Sequence, residues 1–109
     1  MHELPTDQEI LARIKGGDLT ACNICIEKHQ PFLRKVALDI LNNEADAEDV
    51  VQESFINAFK AIDSFEGRSS LATWLYRITY NNALMRLRRR KPNSISVDTI
   101  LKINKQPVH

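Results

Sequence analysis

The chain has 109 residues, enough for one domain, and its 43% hydrophobic and 27% charged residues are ordinary for a soluble globular protein. Its net charge of +1 gives no general indication of a polyanionic partner, so charge is informative only where it is locally segregated. No apolar run approaches the ~18 residues of a membrane span, and residues 1–5 lack the basic and apolar regions of a secretory signal, which predicts a cytoplasmic protein.

The first two predicted helices are bounded by capping residues and glycines. The first begins near Thr6, because Thr6 and Glu9 have the spacing of a capping box, and it ends at the glycines of positions 16–17. The second runs from about Leu19 to Leu41 and stops at the two asparagines that follow. Pro31 lies inside it and lacks an N–H donor, so we expect the helix to be kinked or divided there.

Two further helices follow. The third runs from about Ala45 to Ile62, with acidic residues in its first turns, where the helix dipole favours negative charge. The fourth begins at Ser69 or Ser70, either of which can cap it, and continues to about Arg90. The apolar faces expected to be buried are Val51, Phe55, Ala58, Phe59 and Ile62 in the third helix and Leu71, Trp74, Leu75, Ile78 and Met85 in the fourth.

This pattern predicts an all-α fold, a compact bundle of about four helices with a C-terminal linker tail. Helical periodicity continues throughout residues 1–91, and no alternating run is long enough for a sheet. Residues 92–109 contain Pro107 and sparse apolar residues, which is typical of a linker or a weakly held segment.

The fourth helix carries a polar and basic row beside its apolar face. At ~100° per residue, this row consists of Thr73, Arg77, Asn81, Leu84 and Arg88. In such a row, arginines can neutralise phosphates and Asn81 can hydrogen-bond a base edge. The basic cluster at positions 88–91 surrounds the helix, which suits phosphate attraction better than sequence reading. The alternative is that these charges only complement the helix dipole.

The segment before the fourth helix is a polar turn with an aromatic residue, at positions 64–70. An aromatic side chain beside a flexible polar loop can stack on an unpaired base, and Ser hydroxyls with backbone N–H groups can surround a flipped-out one. The alternative is that Phe65 closes the core and Gly67 merely permits the turn. Trp74 is assigned to the core.

The third helix carries an acidic face that contains Asp46, Asp49 and Glu53, with Gln52 beside them. No basic residue follows at the helical spacing that would neutralise this face. A protein surface rich in Arg and Lys would complement it. The dipole alone accounts for the acidic residues of the first turns but not for Gln52 and Glu53.

Cys22, Cys25 and His29 share one face of the second helix and could bind zinc if a fourth ligand, such as His2, came from elsewhere. Core filling is the favoured interpretation, because buried cysteine behaves as a small hydrophobe. No nucleophile–base arrangement, phosphate loop or carboxylate pair indicates an enzyme, and no cofactor is expected.

Three segments, taken in order, resemble the second domain of bacterial sigma factors, best of all in the extracytoplasmic-function (ECF) group. They are residues 46–55, residues 65–78 and Asn81. The resemblance extends from about Thr6 to Lys91 and is specific in combination. It assigns residues 1–91 to a region 2-like helical domain. In this family the positions of Cys22, Cys25 and His29 are commonly apolar or aromatic, which further weakens the zinc interpretation.

The resemblance implies a module of transcription initiation that binds RNA polymerase core and recognises and melts the promoter −10 element. The acidic helix would dock on the clamp helices of the largest polymerase subunit through Asp49, Gln52 and Glu53. The loop would hold a flipped-out base of the nontemplate strand, which Asn81 would help to select, while Arg77 and the cluster at positions 86–91 would contact the DNA backbone. The DNA-binding residues expected on this basis are Phe65, Gly67, Ser69, Ser70, Thr73, Arg77, Asn81, Arg88 and Arg89.

A complete ECF factor also has a helix-turn-helix domain that reads the −35 element, and nothing in this sequence matches it. Residues 92–109 are therefore expected to be a linker towards that absent domain, unless the protein is unusual. An anti-sigma factor is a further expected partner. Two other hypotheses remain: a thiol-based metal or redox sensor, and a helical decoy that binds polymerase or an anti-sigma factor without touching DNA.

Overall fold

A computed structural model describes residues 5–90, and this part of the chain is helical without a strand. The all-α prediction is confirmed. The elements are α1 (Asp7–Lys15), α2 (Leu19–Leu41), α3 (Glu44–Lys60), a 3-10 turn (Ile62–Ser64) and α4 (Leu71–Arg90). No described helix is long and apolar enough to cross a bilayer. The predicted linker at residues 92–109, Lys91 and His2 lie outside the described residues, so the proposed domain boundary stays a prediction.

Each helix begins where a short polar side chain accepts a hydrogen bond from a backbone N–H of the first turn, as capping chemistry requires. The sequence left the cap of α4 open between two serines. Ser70 Oγ accepts from the backbone N–H of Thr73 at 3.1 Å, so Ser70 is the cap. The corresponding residues of α1, α2 and α3 are Thr6, Asp18 and Asn43.

The first two helices are followed by residues with left-handed backbone conformations. Gly17 has φ +89° after α1, and Asn42 has φ +50° after α2, a conformation that asparagine adopts more readily than most residues. Pro31 does not divide α2, which runs unbroken through it. Its side chain is exposed, so water can satisfy the carbonyl left without an N–H partner one turn earlier.

The core forms where α2, α3 and α4 pack against one another, while α1 lies across α2 and also contacts the 3-10 turn and α4. On α3 the predicted residues Val51, Phe55 and Ala58 are buried, and Phe59 is half-buried. The helix ends at Lys60 rather than at Ile62, which is buried in the 3-10 turn instead.

The predicted core face of α4 is wrong at Met85, whose side chain is 46% exposed. Residues four apart on a helix are offset by about 40°, so a buried row with that spacing winds round the axis. The row turns by about 160° between Leu71 and Leu87. Met85 is roughly aligned with Leu71, so it lies on the side of α4 opposite Leu87, where the buried row ends. The buried row is Leu71, Leu75, Thr79, Ala83 and Leu87.

Candidate nucleic-acid interface

A hollow of about 220 Å³ lies between the loop that follows the 3-10 turn and the first turns of α4. We call it the loop hollow. Ser70 caps α4 directly beside it, and the Ser70 hydroxyl also donates to Thr73 Oγ1 at 2.9 Å, which orders the helix entrance. The residues that line the loop hollow are Ser64, Phe65, Glu66, Arg68, Ser69, Trp74 and Arg77.

The aromatic wall of the loop hollow is a pair of rings. Phe65 and Trp74 have ring centroids 4.8 Å apart with an interplanar angle of 32°. Phe65 is only 7% exposed, so its ring also closes the core. The same side chain therefore occupies the positions expected for both alternatives, core closure and a wall for a stacked base. Trp74, assigned to the core from the sequence, is half-buried and lines the hollow as well.

The rim of the loop hollow is polar and exposed. Gly67 has φ +77°, and a Cβ there would meet no atom within 4 Å, so the backbone conformation rather than space requires glycine. Arg68 and Glu66 form an ion pair at 3.0 Å, with both side chains largely in solvent. Ser69 is partly buried beside them. The rim thus offers hydroxyl, guanidinium and backbone donors to a ligand in the hollow.

The predicted polar row of α4 leads away from the loop hollow. Thr73 is half-buried, Arg77 is exposed and lines the hollow, and Asn81 is exposed one turn further along, about 6 Å by helical rise. Leu84 is half-buried, and Arg88 is exposed at the far end. The row is therefore accessible from the hollow to the basic end of α4.

Four arginines near the end of α4 fall into two groups. Arg86 and Arg90 turn towards α3, where their guanidinium groups contact the Asp46 carboxylate at 3.2 and 2.6 Å, and Arg90 also donates to the Leu41 carbonyl at 2.8 Å. Arg88 and Arg89 are exposed and have no partner among residues 5–90. Periodicity could not separate these groups, because the pairing depends on how α3 and α4 cross.

This pairing corrects two expectations. Asp46, grouped with the acidic face of α3, forms ion pairs with two arginines of α4. Arg86 and Arg90, grouped with a DNA-contacting cluster, are engaged within the fold. Helical spacing predicts neutralising charges only within one helix, whereas these ion pairs join residues 40 and 44 positions apart.

The remaining acidic face of α3 is exposed. Asp49, Gln52 and Glu53 all face solvent, and Asp49 is 3.9 Å from Arg86 at its nearest oxygen. Ile56 follows on the same side and is 53% exposed, an apolar residue that the sequence argument passed over. We call these four residues the α3 surface. Its isoleucine could have been noticed as an apolar residue outside the buried stripe of α3.

The predicted zinc face of α2 is part of the core. Cys25 is fully buried, and burial, with the nearby charge of Asp7, raises the pKa of its thiol to about 12. His29 is buried with Nε2 3.1 Å from Asp7 Oδ1, and Cys22 is half-buried. Within residues 5–90 no three His, Cys, Asp or Glu side chains are grouped as metal ligands. The favoured interpretation, core filling, describes Cys25.

A family model described as Sigma-70 region 2 matches residues 25–92 of this chain. ECF RNA polymerase sigma-E factors are similar over 102 residues, at 41% identity in Salmonella typhimurium LT2 and 40% in Escherichia coli K12, covering 92% of this chain and 53% of each relative. The sigma-E factor of Haemophilus influenzae is 44% identical over 98 residues. The chain spans about half the length of these curated relatives.

A solved structure is similar as well. It is the NMR structure of an engineered region 2 of sigmaE in complex with GTAAAA, with a TM-score of 0.72 and 36% sequence identity. The similarity covers 82% of this chain and 97% of that one. Fold and sequence similarity therefore extend over nearly all of that smaller chain.

Proposed function

We propose, on the premise that this chain belongs to the Sigma-70 region 2 family, that it binds RNA polymerase core and recognises and melts the promoter −10 element as single-stranded DNA. The observation that carries the proposal is the loop hollow, which opens beside the start of α4 and is bordered by Arg77. The similar region 2 of sigmaE is in complex with GTAAAA, a short nucleic-acid sequence, which supports a nucleic-acid ligand for this chain.

On the DNA side, a flipped-out base of the nontemplate strand enters the loop hollow against the wall formed by Phe65 and Trp74. Aromatic surface beside a base contributes ~1–3 kcal/mol per stacked base without regard to sequence. Sequence preference then comes from hydrogen bonds, for which the rim residues Gly67, Ser69 and Ser70 and the α4 residues Thr73 and Asn81 are suited.

The phosphate backbone follows the polar row. Arg77 stands at the edge of the loop hollow, and Arg88 and Arg89 lie exposed near the end of α4. Contacts to phosphates carry no sequence information, so in this role the three residues supply affinity and salt dependence rather than specificity. Because Arg86 and Arg90 are held by Asp46, they are left out of this proposed interface.

On the protein side, the α3 surface docks on the clamp helices of the largest polymerase subunit. Asp49, Gln52 and Glu53 supply charge and hydrogen bonds to a basic partner. The exposed Ile56 adds apolar area at the same contact, as interfaces commonly combine an apolar centre with a polar rim. An anti-sigma factor is also proposed as a partner, on the resemblance alone.

The DNA half is tested by measuring binding of the full chain to the single strand GTAAAA, to strands that change each base in turn, and to the matching duplex. We expect single strands to be preferred over duplex and one base position to dominate the preference. Asn81→Ala should relax that preference, because it removes a base-edge donor and acceptor. Equal affinity of the wild-type chain for every strand and for duplex would contradict the proposal.

The polymerase half is tested with the isolated clamp helices. Reversing charge by Asp49→Lys or Glu53→Lys should weaken binding about tenfold or more, because like charges would then face each other. Glu27→Lys is a matched control, since Glu27 is an exposed acid on α2. Similar losses for the control and for the two α3 variants would point to a general charge effect instead of a contact.

A further inference from the structure

α1 contacts the segment that forms the loop hollow, although this helix precedes the residues matched by the family model. That match begins at residue 25, whereas α1 spans Asp7–Lys15. Ile10 and Ile14 of α1 are buried in the core, and the helix contacts the 3-10 turn that leads into the loop. α1 is thus part of the same packed body as the wall of the hollow.

The closest polar tie between α1 and the loop is made by Lys15. Its Nζ donates a hydrogen bond to the Phe65 carbonyl oxygen at 3.1 Å, across 50 positions of sequence. This carbonyl belongs to the peptide that joins Phe65 to Glu66, and both residues line the loop hollow. The ammonium group therefore holds the backbone at the point where the buried aromatic wall passes into the exposed rim.

The rim beyond this peptide has little support of its own. Glu66, Gly67 and Arg68 are exposed, and the ion pair of Glu66 with Arg68 lies within the loop itself. A loop that must be ordered when its ligand binds loses affinity through conformational entropy, and a loop held in advance loses less. A bond that fixes the start of the rim reduces this loss for a ligand that needs the rim in one shape.

We propose that Lys15 is a positioning residue for base recognition, acting through the Phe65 carbonyl, and that α1 thereby belongs to the DNA-reading unit. The inference rests on the proposed function of the loop hollow. Lys15 itself contacts no base. It sets the rim geometry on which discrimination between bases depends, so its loss affects the preferred strand more than the others.

The test measures a ratio, because a general loss of positive charge would weaken all strands alike. In the full chain, Lys15→Met removes the donor and the charge, and Lys15→Arg restores both. Lys35→Met is the matched control, because Lys35 is an exposed lysine of α2 without a partner among residues 5–90. For each protein, affinity for the preferred single strand is divided by affinity for strands changed at the dominant base, and the melting temperature is recorded.

We expect Lys15→Met to lower this ratio about three- to tenfold, the effect of one net hydrogen bond, while Lys15→Arg recovers most of it and Lys35→Met leaves it unchanged. An unchanged ratio in a folded Lys15→Met chain, or an equal loss for all strands, would overturn the inference and leave the proposed function standing. If Lys15→Met does not fold, Lys15→Ala, which also lacks a donor, is used with the same criterion. A wild-type chain without any strand preference would overturn the proposed function and this inference together.

Discussion

Two arginines two positions apart on α4 have different environments. Arg90 bonds the Asp46 carboxylate and the Leu41 carbonyl, so one side chain joins the ends of α2 and α4 to the start of α3. Arg88 is exposed and lies in the polar row. Identical residue types in one basic run therefore serve stability in one case and, in the proposed function, phosphate binding in the other.

This difference predicts opposite outcomes for two alanine variants. Arg90→Ala should lower the free energy of unfolding by about 1 kcal/mol, since a partly exposed ion pair and one hydrogen bond are lost. Arg88→Ala should leave stability nearly unchanged but weaken binding to all single strands and reduce the salt slope by about 1. Thermal unfolding and titrations at several salt concentrations measure both; equal salt slopes for wild type and Arg88→Ala would contradict the phosphate role.

The two cysteines of α2 should also behave differently towards alkylating reagents. The thiolate is the reactive form, and burial raises the pKa of Cys25 to about 12, so this buried thiol is protonated and shielded at neutral pH. The pKa of Cys22 is raised as well, by burial and by Asp18, but its side chain is only half-buried. We expect iodoacetamide to modify Cys22 slowly in the native chain and Cys25 only after unfolding, as mass spectrometry of digested samples would measure. Native labelling of Cys25 at the rate of Cys22 would show that this part of the core opens readily.

At the scale of elements, α1 is joined to α2 by a charged cluster. Asp7 accepts a hydrogen bond from Lys28 at 2.8 Å and one from His29, whose ring must donate because an ionised carboxylate only accepts. Burial raises the pKa of Asp7, but these bonds and charges outweigh it, and the pKa lies below its ordinary value of 3.8. The native state therefore favours the ionised form more than the unfolded chain does.

A lowered carboxyl pKa has a definite consequence for stability. The contribution of Asp7 is fully present above about pH 4 and disappears as pH falls through its lowered native pKa. Asp7→Asn should therefore destabilise the chain at pH 7, by about 0.5–1 kcal/mol for a pair so accessible to solvent, and by less near pH 3. Urea denaturation at both pH values measures this, with Asp39→Asn as an exposed control on α2. A constant difference between variant and wild type across this range would exclude the electrostatic explanation.

At the scale of the whole molecule, the α3 surface and the loop hollow belong to different elements that pack into one core. The link between α3 and α4 includes Asn82, whose Nδ2 donates to Ser54 Oγ and to Asn57 Oδ1, each at 3.0 Å. Its neighbour Asn81 is exposed and makes no such link within the described residues. These hydrogen bonds join the helix that carries one candidate interface to the helix that borders the other.

We therefore expect the two binding events to be independent in this chain. Glu53→Lys should weaken clamp-helix binding but leave single-strand affinity within about twofold, and Asn81→Ala should do the reverse. For each ligand, the change in binding free energy of the double variant should equal the sum of the changes in the two single variants within about 0.5 kcal/mol, as for sites without shared partners. The four affinities of the double-mutant cycle test this, and a larger coupling energy would mean that the core transmits strain between the surfaces.

Local chemistry made much of this fold predictable from the sequence. Thr6 and the asparagines after Leu41 mark helix ends through hydrogen bonds to nearby backbone, and α2 was bounded correctly despite Pro31. The row through Arg77 and Asn81 follows from helical periodicity alone, which places both on the exposed face where the structure has them. Such features depend on residues within about one helical turn of each other.

What the sequence determined by itself was the helices, their caps and the residues that share a face, because short-range hydrogen bonds and a regular period decide them. The tertiary structure alone decided that Asp46 is neutralised by Arg86 and Arg90, that Lys15 holds the Phe65 carbonyl, and that Met85 lies outside the core. These contacts join positions 40 or more residues apart, or depend on which side of α4 its neighbours cover. Helix crossing sets them, and no spacing within a single helix encodes a crossing angle.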